Sequence, residues 1–257
     1  MSPEPTYRLT VAPRFAVTSF WRERLAHNRG VTIEAGSGCA QPREGWAALD
    51  DTELASLVDP EAGREVALPP THLGLMQVPE RLRRAWWACA ERGGSAADAD
   101  FEPVFVEMAE FLRFKGLPLP ERVHLEVAVS APGLRSTRVG ADGAPLGLGF
   151  GDRPATADAP GRVPLGLVNL GDEASFVVLV AHPPQTLAAR LVAAGAPDVE
   201  TLAPQALVAC FLSAFPEEPL LRVRLAPGEG LWLSPFGVVH DGWTQDKKDV
   251  DVVLSVG

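Results

Sequence analysis

Histidine titrates nearer neutrality than any other side chain, so it can move protons or, as a neutral imidazole, hold a transition metal. The chain has five, and His240 stands in the most suggestive setting. Before it runs Gly230-Leu231-Trp232-Leu233-Ser234-Pro235-Phe236-Gly237, a short apolar strand and a tight turn; after it comes Asp241-Gly242. A histidine opening a late strand in this way points into the mouth of a β-structure, where its nitrogen suits Fe(II) or acid–base work. Asp241 either orients it or lies outward. The plainer reading is a surface-strand histidine followed by an Asp-Gly turn. Trp232 and Trp243 flank the turn and either line a pocket or pack beneath a loop. Lysine is scarce, yet Lys247 and Lys248, two of the three, sit side by side just beyond His240.

Other constellations are weaker. His124-x-Glu126 is the one His-x-acid pair, and with His240 it would complete a two-histidine, one-carboxylate set. Both residues, however, alternate against Val123, Leu125, Val127 and Val129, which places them on a solvated face. His182 ends a strand; His27 and His72 read as helix-end and loop residues. There is no Gly-x-Ser-x-Gly elbow, no P-loop, and no Gly-x-Gly-x-x-Gly ahead of a helix. Gly147-x-Gly149-x-Gly151 alternates within a strand and makes a poor phosphate cradle.

The elements that must position these residues change character along the chain. Helices are predicted over 17–27, from a cap at Asp51 to Val58, from Val78-Pro79-Glu80 onward, and from Pro103 to Phe114. From Arg122 the period becomes two: Val123, Leu125, Val127 and Val129 form the inward set of a first strand. Further strands are predicted at 137–139, 146–150, 163–170, 176–180, 220–225 and 231–233, and from Val250 to Val256. Helices over 184–195 and 202–215 interrupt them. The expected class is α+β with a mostly β C-terminal half. A mixed N-terminal part, 1–121, is expected to pack on a jelly-roll core, 122–257, as one structural domain.

Composition excludes some partners. With 257 residues, 46% hydrophobic and 22% charged, the chain reads as an ordinary globular protein. A net charge of −10 gives no footprint for nucleic acid. No apolar run approaches the ~20 residues that span a bilayer, so no membrane partner is expected. Cys39, Cys89 and Cys210 lack disulfide or zinc spacing, and Met1–Pro5 is not the start of a signal peptide; a cytoplasmic location is expected.

Four segments together resemble a known family: Val127-Ala128-Val129-Ser130-Ala131-Pro132-Gly133, Gly147-Leu148 with Asp152, Val168-Asn169-Leu170-Gly171, and Leu225-Ala226-Pro227-Gly228-Glu229-Gly230 with His240-Asp241-Gly242. The likeness is to bacterial iron/2-oxoglutarate-type oxygenases of specialised metabolism, over roughly 122–257. It implies a double-stranded β-helix (cupin-like jelly-roll) flanked by helices. His240 then matches the distal metal histidine, and Lys247 and Lys248 fall where such proteins hold the 2-oxoglutarate carboxylate. Asp152 and Asn169 join Trp232 and Trp243 as substrate-binding candidates. Gly149 and Gly151 occupy the places of the proximal His-x-Asp, which makes the metal site degenerate.

Three functions follow from the resemblance. The first is an oxygenase-like biosynthetic protein acting on a small or carrier-bound acidic molecule without the iron triad, with His240 and Asp241 catalytic and no metal or cofactor. The second is a non-catalytic partner, as homodimer or as heterodimer with a same-fold paralogue. The third is an Fe(II)/2-oxoglutarate enzyme with relocated ligands, His240 joining Asp152 or His124 and Glu126.

Overall fold

The computed structural model describes residues 8–11, 21–35, 38–58, 72–93, 101–114, 125–150, 165–233 and 237–256. Strands β1 (Arg8–Val11), β2 (Leu25–Arg29), β3 (Val31–Ile33), β4 (Ala40–Pro42), β5 (Ala47–Ala48) and β6 (His72–Gln77) come first. Strands β7 (Leu125–Ser130), β8 (Leu165–Asn169), β9 (Ser175–Val180), β10 (Pro219–Leu225), β11 (Glu229–Leu233), β12 (His240–Trp243) and β13 (Asp251–Val256) follow. The α-helices are α1 (Asp51–Leu57), α2 (Glu80–Gly93), α3 (Glu102–Phe114), α4 (Pro184–Ala193) and α5 (Pro204–Ala214).

Two sheets carry the architecture. One has the order β1-β6-β11-β8-β13-β7 and the other β12-β9-β10-β2-β5; β3 and β4 form a separate pair. All the pairings are antiparallel except β1 with β6, so the fold is α+β with mostly antiparallel sheets. Strands from the first 121 residues belong to both sheets.

Alternation divides the apolar residues into three clusters. Leu167, Leu231 and Leu233 of one sheet meet Val177, Leu179, Leu221 and Val223 of the other, with Leu54 and Leu57 of α1 beside them. The residues between these point the other way. Val168, Trp232, Val252 and Leu254 lie under Leu82 and Trp86 of α2 and Met108 and Phe111 of α3. Val178, Val180, Val239 and Trp243 lie under Leu187 of α4 and Val208 and Phe211 of α5. The layers therefore run helix, sheet, sheet, helix. Each fully buried side chain of this size contributes about 1.5–3 kcal/mol. No helix among the described residues is long and apolar enough to cross a membrane.

Several expectations change on contact with tertiary structure. The cap of α1 is Asp50, one residue earlier than expected: its carboxylate accepts from the amides of Thr52 and Glu53 at 2.8 Å, and Glu53 accepts from the Asp50 amide at 2.9 Å. This reciprocal box satisfies amides that the first turn leaves unpaired. Asp50→Ala should cost about 0.5–2 kcal/mol in chemical denaturation. The helix expected over 17–27 is overturned at its C-terminal end, because Leu25–Arg29 pairs with β10 and buries Leu25 and Asn28; residues 17–20 lie outside the described residues. In β7, Leu125 and Val127 face the core and Glu126 is exposed, as alternation predicts, but Val129 is 55% exposed. The reason is position: β7 ends its sheet and has β13 as its one described neighbour. Val123 and His124 lie outside the described residues.

Candidate functional site

The site is built on β12, and the parity of that strand decides what each residue can do. In register with β9, His240 lies opposite Leu179 and Asp241 opposite Val178. Leu179 belongs to the cluster between the sheets and Val178 to the cluster under α4 and α5. Side chains directly opposite share a face, so His240 and Asp241 point to opposite sides of one sheet. Asp241 is therefore not the residue that orients the imidazole. On the other edge of β12, the Gly149 amide donates to the His240 carbonyl at 3.2 Å and the His240 amide to the Gly149 carbonyl at 2.8 Å. Gly149 thus sits directly beside His240. Gly151 lies outside the described residues.

His240 is 9% exposed, and its Nδ1 is 2.7 Å from the Val238 carbonyl oxygen. A carbonyl only accepts, so Nδ1 carries the proton and Nε2 presents its lone pair. Burial pushes the pKa down to about 4; the Val238 bond opposes this and the Arg138 charge reinforces it. The ring is neutral at pH 7.

Asp241 is an anchor. Its Oδ1 accepts from the amides of Gly242 at 2.7 Å, Thr137 at 3.1 Å and Arg138 at 3.3 Å. Burial raises its pKa to about 6, against the opposing pull of the Ser136 hydroxyl, the Thr137 amide, Arg138 and the Gly242 amide. The carboxylate clamps the 136–138 loop against β12 and so fixes the stem of Arg138.

Arg138 and Gln205 are the residues that sequence reasoning missed. A Cβ at position 149 would collide with Arg138 Nη1 and Gln205 Oε1. Arg138 Nη1 donates to the Gly147 carbonyl at 2.8 Å, and Gln205 Nε2 to the Leu148 carbonyl at 3.3 Å. A guanidinium and an amide therefore fill the space that a histidine at 149 would need. Glycine within a strand signals close approach by another group. That signal was present at Gly149, but it does not say which group approaches.

The remaining candidates are dispersed. Trp232 lies between Leu231 and Leu233, so parity turns it outward; its ring covers Gly166, beneath α2 and α3. Trp243 lies on the outer face of the other sheet, edge-on to Trp46 with ring centroids 5.7 Å apart. Neither tryptophan shares a face with His240. Asn169 is fully buried and holds a turn: Nδ2 donates to the carbonyls of Glu173 at 2.8 Å and Leu225 at 2.9 Å, and Oδ1 accepts from the Gly171 amide at 2.8 Å.

The lysine pair splits. Lys247 is buried and donates to Asp251 Oδ1 at 2.8 Å and to the Ala174 carbonyl at 3.0 Å. Lys248 is exposed. Its backbone amide, with that of Asp249, holds the Glu173 carboxylate at 3.0 Å and lowers the pKa of that group. A lysine already bonded to a buried aspartate is poorly placed to take a ligand's carboxylate.

Glu126 is exposed on β7, in the sheet that does not contain His240, so it does not complete a ligand set there. Asp152 and His124 lie outside the described residues. His182 meets buried Glu218 at 2.9 Å opposite Arg190 at 2.8 Å. Burial alone would raise the Glu218 pKa, but these two partners outweigh it and hold it low. Among the described residues no group of three histidine, cysteine, aspartate or glutamate side chains could hold a metal. No protein-family model matches the chain, and no curated protein matches it.

Proposed function

We propose that this chain is an oxygenase-like double-stranded β-helix protein of specialised metabolism that takes a small or carrier-bound acidic molecule without the usual iron triad. The wiring supports the fold. From β7 onward the strands enter the sheets first as two pairs, β7 with β8 and β9 with β10, and then alternate through β11, β12 and β13, giving β7-β13-β8-β11 in one sheet and β12-β9-β10 in the other. An isolated antiparallel bridge joins Gly149 to the outer edge of β12 at His240. Two antiparallel sheets wound in this manner are what a jelly-roll requires.

One observation carries the functional reading: the space beside His240 that a residue-149 side chain would need holds the ends of Arg138 and Gln205. Guanidinium has no lone pair to give a metal and carries a permanent positive charge. The same spot thus favours an anionic ligand over a cation. His240, neutral and with Nε2 bare, would accept a hydrogen bond from that ligand. Protein loaded with Fe(II) under anaerobic conditions and titrated with 2-oxoglutarate should hold far less than one equivalent of iron. Stoichiometric iron that tightens with 2-oxoglutarate would overturn the reading and favour relocated ligands.

A second reading has its own support. An imidazole with a pKa of about 4 is a weak base at neutral pH, which favours a binding role over proton transfer. In that case the chain is the non-catalytic partner of a same-fold paralogue or of a second copy, and affinity purification from the native host should recover that partner in stable stoichiometry.

A further inference from the structure

The described arginines of intermediate burial are Arg24, Arg43, Arg83, Arg135, Arg138, Arg190 and Arg222. Six of them face a carboxylate. Arg24 meets Glu229 and Arg43 meets Glu217 at 2.7 Å, Arg83 meets Asp172 at 3.1 Å, Arg190 meets Glu218 at 2.8 Å, Arg222 meets Asp246 at 2.6 Å, and Arg135 meets Glu44. The exception is Arg138: its guanidinium makes one hydrogen bond, to the Gly147 carbonyl, and no ion pair, although its charge acts on the buried Asp241 carboxylate that its own backbone amide holds. The chain carries a net charge of −10, so carboxylates are not scarce. A partly desolvated guanidinium is costly while its N–H donors stay unfilled, and the Asp241 charge fills none of them.

We propose that Arg138 is the carboxylate anchor of this protein's ligand site, in place of the Lys247-Lys248 pair, and that its unfilled donors take the carboxylate of a small organic acid. The inference rests on the small-acid reading above and assigns its anchoring residue. Three features suit the role. The stem is held at the backbone, where Asp241 Oδ1 accepts from the Arg138 amide at 3.3 Å and Ser136 Oγ donates to the Arg138 carbonyl at 3.3 Å. The guanidinium has five N–H donors in a planar fork, and one hydrogen bond leaves the rest to grip a carboxylate with two parallel bonds. His240 pairs through its backbone with Gly149, whose side-chain space the Arg138 guanidinium fills, and its Nε2 would accept from a hydroxyl or amine on the same ligand. The preferred ligand is therefore a carboxylate with a neighbouring hydrogen-bond donor.

The test is calorimetry on the full chain with lactate, succinate and inorganic phosphate as probes. Wild type should bind lactate most tightly. Arg138→Ala should weaken lactate about tenfold or more, the scale of losing a charge-assisted hydrogen bond. Lys248→Ala should leave the affinity unchanged. Arg138→Gln keeps a polar side chain of similar length and serves if the alanine variant does not fold; it should lose affinity likewise. Absence of lactate and succinate binding to wild type would overturn the proposal, as would tighter binding of phosphate. Carboxylate binding that survives both Arg138 variants and fails in Lys248→Ala would overturn it too, returning the anchor to the lysine loop while the small-acid reading stands. Iron loading tests that reading separately.

Discussion

Lys247→Ala is expected to lower the free energy of unfolding by about 3–5 kcal/mol, the cost of leaving one member of a buried ion pair without its partner. The Lys247 side chain is 1% exposed and that of Asp251 4%. Asp251 also accepts from Ser175 Oγ, so the network ties β13 to β9 across the space between the sheets. Remove the ammonium and a carboxylate remains in an apolar interior with one hydroxyl to hold it. The double variant Lys247→Met with Asp251→Leu should be far less damaging, because no charge is then stranded. Urea denaturation of the two variants beside wild type measures both. A Lys247→Ala protein as stable as wild type would mean that the pair is solvated after all.

The second large effect is a pair of opposed pH dependences at β12. His240 has a folded pKa of about 4 against an ordinary value of 6.5. Its contribution to stability is full above pH 6.5 and is lost as pH falls toward 4. Asp241 runs the other way, with a folded pKa of about 6 against 3.8. Its contribution is full below pH 3.8 and is lost as pH rises through 6. Each shift corresponds to about 3 kcal/mol at 1.4 kcal/mol per unit. Between pH 4 and 6 the two slopes nearly cancel, so wild type hides both. His240→Gln should expose the aspartate limb, with stability relative to wild type rising as pH falls from 7 to 4. Asp241→Asn should expose the histidine limb and steepen acid unfolding. The readout is the slope of unfolding free energy against pH, which separates titration from any uniform loss of contacts. Parallel slopes in all three proteins would refute the assignment.

Local pattern exposed much of the fold. Period-two runs in Leu165–Asn169, Ser175–Val180 and Pro219–Leu225 became strands, and Pro184 and Pro204 each opened a helix near the expected place. Pairing was harder to see, because it joins residues far apart in sequence. Leu231-Trp232-Leu233 reads as a strand on its own, but whether its leucines or its tryptophan face the other sheet depends on β8 and β6. The same limit applied to the site. The juxtaposition of Gly149 and His240 joins residues some ninety positions apart, and no local pattern announces it. The burial of Lys247 was not, since nothing in Asp246-Lys247-Lys248-Asp249 distinguishes a lysine pointing inward from one in solvent. Arg138 carried no motif at all. Its setting depends on one backbone clamp from Asp241 and one glycine without a side chain.

The placement of β13 has a consequence for how the chain acquires its shape. It is the last described strand in sequence, yet it lies inside its sheet with β7 on one side and β8 on the other. During synthesis β7 emerges early and must wait while residues 131–250 leave the ribosome before its one described neighbour exists. Until then its amides and carbonyls stay open to solvent or to the wrong strand, the exposure that makes unpaired edges prone to aggregation. Closure over so long a stretch also loses more chain entropy before contacts repay it, which slows the final step. A nascent chain released before Asp251 would lack the strand that joins β7 to the rest of that sheet, and with it the aspartate that neutralises Lys247.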